Sequence, residues 1–155
     1  MVAMPAVEHP RTEDDVLRAF LELETPAGFK AELIEGEIVV TPPPDGSHET
    51  AFALLNRQFM RRAAVELDLA GTKGLVTPKG RFIPDGTVSP VGHFETADSW
   101  ASPAGVLLVD RTDGNVTLFT DPEDGDYTAH VQVPFGKPLD LPAPFSFALD
   151  TAPLR

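Results

Sequence analysis

The sequence predicts an α+β fold, and three observations carry the prediction. Two stretches repeat apolar residues at helical spacing; a Glu-Gly turn joins two short extended runs between them; and the C-terminal half reads as a β-meander punctuated by Asp/Gly turns. At 155 residues and 42% hydrophobic content the chain suits one domain over 1–155, large enough to bury roughly two thirds of the surface its unfolded form exposes.

Residues 1–11 read as a loose lead-in. Thr12 then offers a hydroxyl cap, Glu13, Asp14 and Asp15 put negative charge on a first turn, and Val16, Leu17, Phe20 and Leu21 recur at helical spacing, so a helix is expected from about Glu13 to Leu23. Pro26 and Gly28 end it. Ala31 to Ile34 and Glu37 to Val40 flank Glu35-Gly36 as a hairpin, with Gly36 supplying positive φ. The run Pro42-Pro43-Pro44 cannot continue a strand. Ser47 is the expected N-cap of a second helix reaching about Glu66, with Ala51, Phe52, Leu54, Leu55, Phe59, Ala63 and Val65 as its apolar set.

Short extended pieces follow at 67–70, 74–77 and 81–88, the last containing Asp85. Residues 89–105 are rich in turn formers without a sustained period and read as a long loop. Val106 to Val109 is apolar at four consecutive positions, which predicts an interior strand beside the Asp85 strand. Val116 to Thr120 and Tyr127 to Val133 complete the meander, and Phe135, Phe145, Phe147 and Leu149 are expected to pack a short last strand over the sheet.

The net charge is −12, from 24 acidic and 12 basic residues, which repels phosphate backbones at long range. The distribution is uneven. Arg57, Arg61, Arg62, Lys73, Lys79 and Arg81 share their window with only Glu66 and Asp68, so that window is net +4 and the remainder −16. Any nucleic-acid contact is expected there, weak and salt-sensitive. Without cysteine the chain has no disulfide, thiolate metal site or thiol nucleophile, and with no leader pattern or apolar span a cytoplasmic location off the membrane is expected.

Several familiar chemistries are excluded by spacing. His48-Glu49 opens like a zinc-protease helix, but the second histidine would fall at Phe52. Gly71-Thr72-Lys73-Gly74 lacks phosphate-loop spacing, and His93, Glu95 and Asp98 share one irregular segment with nothing to set ligand geometry. Carboxylates remain. Pro84 cannot donate to a strand ladder, so Asp85 follows an edge, strand start or bulge where a polar group can face a cleft. Glu32 shares its strand face with Ile34, either towards solvent or inward against a cation or donor.

The order of Ala31-Glu32-Leu33-Ile34-Glu35-Gly36-Glu37-Ile38-Val39-Val40, Pro42-Pro43-Pro44 through His48, Ile83-Pro84-Asp85, and then Leu107 to Arg111, Val116 to Phe119 and Tyr127 resembles the bacterial restriction-endonuclease-domain family of the PD-(D/E)XK nuclease superfamily. The resemblance implies a restriction-endonuclease-like mixed β-sheet flanked by helices. It also implies a Mg²⁺-dependent nuclease site in which Asp85 is the first metal-binding carboxylate and Glu32 an auxiliary one. DNA, reached through the basic window, is the implied substrate, with a second copy or an intact relative as a further partner.

The chain departs from that pattern after Asp85. The family follows it with a strand bearing a Glu and a nearby Lys or other polar partner, then a charged helix. Here Gly105 joins Val106 directly and no Lys lies between Lys79 and Lys137. In-line phosphodiester hydrolysis needs a cation held by carboxylates in a fixed frame. The expected state is therefore a family member with a shortened core and a lost or severely impaired activity. Two rivals are an active enzyme using Glu95, Asp98 or Asp110 as substitutes and a non-catalytic module paired with an intact relative.

Overall fold

The computed structural model describes residues 12–71, 73–77, 80–98 and 100–155, so the lead-in expected at 1–11 lies outside the described residues. Among these residues two α-helices, α1 (Glu13–Leu21) and α2 (Gly46–Arg62), accompany twelve strands. The N-terminal strands are β1 (Lys30–Ile34), β2 (Glu37–Thr41), β3 (Leu67–Ala70), β4 (Gly74–Thr77), β5 (Gly80–Phe82), β6 (Thr87–Pro90) and β7 (Trp100–Ala101). The C-terminal ones are β8 (Val106–Asp110), β9 (Asn115–Glu123), β10 (Asp126–Pro134), β11 (Leu139–Asp140) and β12 (Ala148–Leu149). The fold is α+β, as expected. Among the described residues no helix is long and apolar enough to cross a membrane.

The larger sheet runs β2-β1-β5-β4-β7, antiparallel except for the parallel β4–β7 pair, so it is mixed. Its first hairpin follows from local chemistry. Glu35 and Gly36 both take positive φ, 49° and 85°, the two-residue turn whose twist matches a right-twisted ribbon. Thr12 and Asp15 form a reciprocal capping box at the start of α1, which turns Phe20 into the core, 6.1 Å from the Trp100 ring. Gly80, at φ 146°, crosses β1 so closely that a Cβ would sit 1.7 Å from the Leu33 carbonyl oxygen.

Helix α2 is capped by Asp45 rather than Ser47, its carboxylate accepting from the His48 N–H at 2.8 Å. It ends at Arg62, short of Glu66, because Ala63 turns extended and the Ala64 N–H donates to the Phe145 carbonyl at 2.8 Å. A tertiary hydrogen bond thus replaces the next helical one.

The core lies between α2 and the three-stranded sheet β10-β9-β8. Phe59, Val116, Leu139, Leu141, Leu149 and Leu154 are buried together. Phe145 and Phe147 meet Phe59 edge-on, at 5.2 and 5.4 Å. The expected short last strand is present as β12, paired with β11. Thr151, fully buried, accepts from the Gly136 N–H and donates to the Lys137 carbonyl, so its hydroxyl is satisfied.

Three further expectations, on the strands and the long loop, are corrected. The run 81–88 is not one strand: β5 stops at Phe82, β6 starts at Thr87 and pairs with β3, and Asp85 sits in the bend where the chain changes sheets. Pro84, lacking a donor, marks that break. Val106 to Val109 is not interior and does not neighbour the Asp85 segment. Among the described residues strand β8 is an edge bonded only to β9, with Leu107 and Val109 packed on the core and Leu108 50% exposed. An apolar run therefore spent its alternate residues on an outer face. The long loop at 89–105 is interrupted by the end of β6, a 3₁₀ turn at His93–Thr96 and β7.

Candidate active site

Asp85 is where two distant segments meet one carboxylate. Its Oδ1 lies 3.1 Å from Lys30 Nζ on β1, and its Oδ2 lies 3.1 Å from His48 Nε2 on the first turn of α2. Each partner is delivered by a local rule. Lys30 opens β1 on the face it shares with Glu32 and Ile34. His48 and Phe52 stand four residues apart, hence on one face of α2, and both meet the same bend. Gly86 packs there with no side chain: a Cβ would lie 2.5 Å from the Phe52 ring. One face of one helical turn thus holds both the charge and the backbone of residues 85–86.

The sequence marked Asp85 but neither Lys30 nor His48. Lys30 precedes the hairpin pattern, and His48 stands out in the sequence only through an incomplete zinc motif and as part of the proline-loop stretch. The signal available in the sequence was the i, i+4 pair His48/Phe52 at the start of a helix that directly follows a strand carrying Lys30. Their convergence on residue 85 is a tertiary fact.

Glu32 is half-buried on an inner strand, directly opposite Val39, and among the described residues no ion pair or hydrogen bond joins its carboxylate to the Asp85 cluster. Strand β1 is paired on both sides, with β2 and β5, so Glu32 does not stand on an edge strand; the face it shares with Lys30 and with Ile34, 43% exposed, is open in part to solvent.

The arginines of the basic window do not converge on Asp85. Arg57 and Arg61 are exposed and lie on the far side of α2, since nine residues from His48 to Arg57 amount to about two and a half helical turns. Arg62 stacks over Phe147, 5.3 Å from the ring, and donates to Gln58. Arg81 stacks over Trp100 at 5.3 Å. It is directly opposite Leu33, so it projects from the sheet face away from Lys30 and Glu32. Lys73 is half-buried just before β4, and Lys79 lies outside the described residues. Glu95 and Asp98 are exposed, while Asp110 accepts from the Thr112 and Asp113 N–H groups at the β8–β9 turn.

This arrangement does not fit a resident divalent cation at Asp85. Magnesium is held through carboxylate oxygens and water. Here one oxygen faces an ammonium and the other an imidazole nitrogen. A doubly charged ion on either oxygen would stand close to the Lys30 ammonium, and such charges about 4 Å apart repel by about 2 kcal/mol even at the dielectric of bulk water. Among the described residues no three His, Asp or Glu side chains group so as to hold a metal ion. The present contacts are partly exposed, so the Lys30–Asp85 pair itself adds no more than about 1 kcal/mol of stability.

Residues 17–102, from α1 through β7, match the family model described as "Uma2: Putative restriction endonuclease". A crystal structure titled as that of a putative nuclease belonging to DUF820, from Anabaena variabilis, superposes with a TM-score of 0.61 at 14% identity, over 94% of this chain and 97% of that one. At that identity the likeness speaks for the fold. No functionally curated protein matches the chain. Since the matched segment spans more than half of the 155 residues and contains the hairpin, α2 and Asp85, the chain belongs to the Uma2 family.

Proposed function

We propose that this chain is a nuclease-family domain in which efficient Mg²⁺-dependent DNA cleavage has been lost, and in which Asp85 serves as an ionic tie instead of a metal ligand. The observation that carries the reading is the occupation of both Asp85 oxygens by Lys30 and His48. The absence from the sequence of a Glu-x-Lys strand between Asp85 and Lys137 supports it. Contact with DNA, through Arg57, Arg61, Arg62, Lys73, Lys79 and Arg81, belongs to the same proposal. With the arginines among them spread over separate surfaces and a net charge of −12, the binding is weak and falls steeply with salt.

The experiment is nicking of supercoiled plasmid at millimolar Mg²⁺ or Mn²⁺ by the wild-type chain and by Asp85→Ala. The expected result is no cleavage that separates the two. Nicking by the wild type that Asp85→Ala abolishes would replace this reading with that of an active metal-dependent nuclease.

A further inference from the structure

We propose that the outer edge of β2 is a self-association surface, on which β2 of a second copy of this chain pairs antiparallel about a two-fold axis at Val39. The inference concerns the free side of the larger sheet and stands whether or not the chain cleaves DNA.

Strand β2 ends its sheet among the described residues. Natural edges are usually blunted by lysine, proline, a bulge or shortness. The opposite end of this sheet is short: β7 has two residues. Strand β2 has five, Glu37-Ile38-Val39-Val40-Thr41, in unbroken register with β1 and with no proline or lysine inside it. Val39 and Val40 are 36% and 45% exposed although they point to opposite faces.

The register dictates which partner fits. In a hairpin closed by a two-residue turn, the residues flanking the turn exchange both backbone hydrogen bonds, and bonded and non-bonded pairs then alternate. Ile34–Glu37, Glu32–Val39 and Lys30–Thr41 are therefore the bonded pairs. The N–H and C=O groups of Ile38 and Val40 consequently point outward. An antiparallel copy centred on Val39 sets Ile38 opposite Val40 of the other copy, twice, so all four outward-facing groups on each strand are paired. Centring on Ile38 or Val40 instead pairs only one of the two residues directly with its counterpart and slides the turn or Pro42 into the ladder.

Charge agrees with this register. Glu37 is the single charged residue of β2, and its counterpart across the axis is Thr41, so no like charges face one another. The two Val39 side chains meet at the axis. Because Val39 shares a face with Glu32 and Lys30, both Asp85 clusters would stand on one side of a continuous sheet. The two Glu32 backbones would be about 14 Å apart, three strand spacings.

The chain contains no cysteine, which makes the test clean. Paired residues that do not exchange hydrogen bonds have Cα atoms about 4.5 Å apart, within disulfide range. Full-length Val39→Cys should give a reducible dimer under mild oxidation, far faster than Ile38→Cys or Leu108→Cys, the last reporting on the β8 edge. Sedimentation of the wild type should show a concentration-dependent dimer, strengthened by added salt as the mutual repulsion of two −12 chains is screened. Val39→Lys should weaken that dimer about tenfold or more with its circular dichroism unchanged. A wild type that stays monomeric, cross-linking at Leu108 as fast as at Val39, or a dimer gained only after deletion of residues 1–11 would each overturn the proposal. The last outcome would identify the N-terminal segment as the occupant of this edge.

Discussion

The side chain of Gln58 and the backbone of Asp150 hold each other in both directions: Nε2 donates to the Asp150 carbonyl at 2.8 Å, and Oε1 accepts from the Asp150 N–H at 2.7 Å. This pair of hydrogen bonds near the end of α2 ties the helix to the segment after β12, 92 residues away in the chain. It does for the C-terminal tail what a ladder partner would do for a strand.

Gln58→Leu should therefore destabilise the fold by roughly 1–2 kcal/mol, two modest hydrogen bonds next to solvent. That corresponds to a loss of a few degrees in Tm for a domain of this size. Gln58→Glu should cost at least as much, because it removes the donor and sets a carboxylate against a carbonyl oxygen. Thermal unfolding of the two variants side by side checks this; an unperturbed Tm in both would mean that the tail is held by its leucines alone.

Gly80→Ala should be among the most damaging single-methyl changes in the chain. The added Cβ would meet the Leu33 carbonyl at 1.7 Å, and φ there is 146°, where side-chain-bearing residues are strained. The pairing of β5 with β1 would have to open, so urea unfolding should show a loss of several kcal/mol. Gly36→Ala, where nothing lies within 4 Å of the added carbon, should cost only the left-handed strain, about 1 kcal/mol.

Acid should weaken the start of α2. The His48 N–H donated to Asp45, with a smaller contribution from the Arg111 charge, holds the Asp45 carboxyl below its ordinary value of 3.8. A carboxyl depressed in the folded state stabilises the fold above its unfolded pKa, and that contribution is lost as pH falls through the folded value. Asp45→Ala should lower Tm at pH 7, and the gap from wild type should narrow from about pH 4 downwards. A gap that stayed constant between pH 7 and pH 3 would show that the carboxylate charge plays no part in the cap. Asp15, depressed chiefly by the Thr12 hydroxyl, should behave likewise at α1.

The legible parts of this molecule are those in which a residue's neighbours in space are also its neighbours in the chain. The Glu35-Gly36 turn, the Thr12 cap, the proline stop after Thr41 and the meander turn at Asp124-Gly125 depend on φ/ψ preferences and hydrogen bonds spanning a few residues. Asp85 was singled out for a similar reason, since Pro84 announces a break in a ladder. The sequence reading failed at Val106 to Val109, where the same apolar run suits an interior strand or an edge strand with one packed face; composition does not count the partners a strand will have.

Alone, then, the sequence determined the α+β class, the hairpin, both helix starts to within two residues, and the carboxylate around which the candidate site is built. Only the tertiary structure decided that Lys30 and His48 would take the two oxygens of that carboxylate, that Arg81 would turn to the opposite face of the sheet from Lys30, and that β8 would border a separate three-stranded sheet. The physical reason is range. Capping and turn energies act within a few residues and can be read from them. The contacts of Asp85 reach back 55 residues to Lys30 and 37 to His48, and the second exists only because burial of Phe59, Val116 and Leu149 in a common core fixes where α2 must lie.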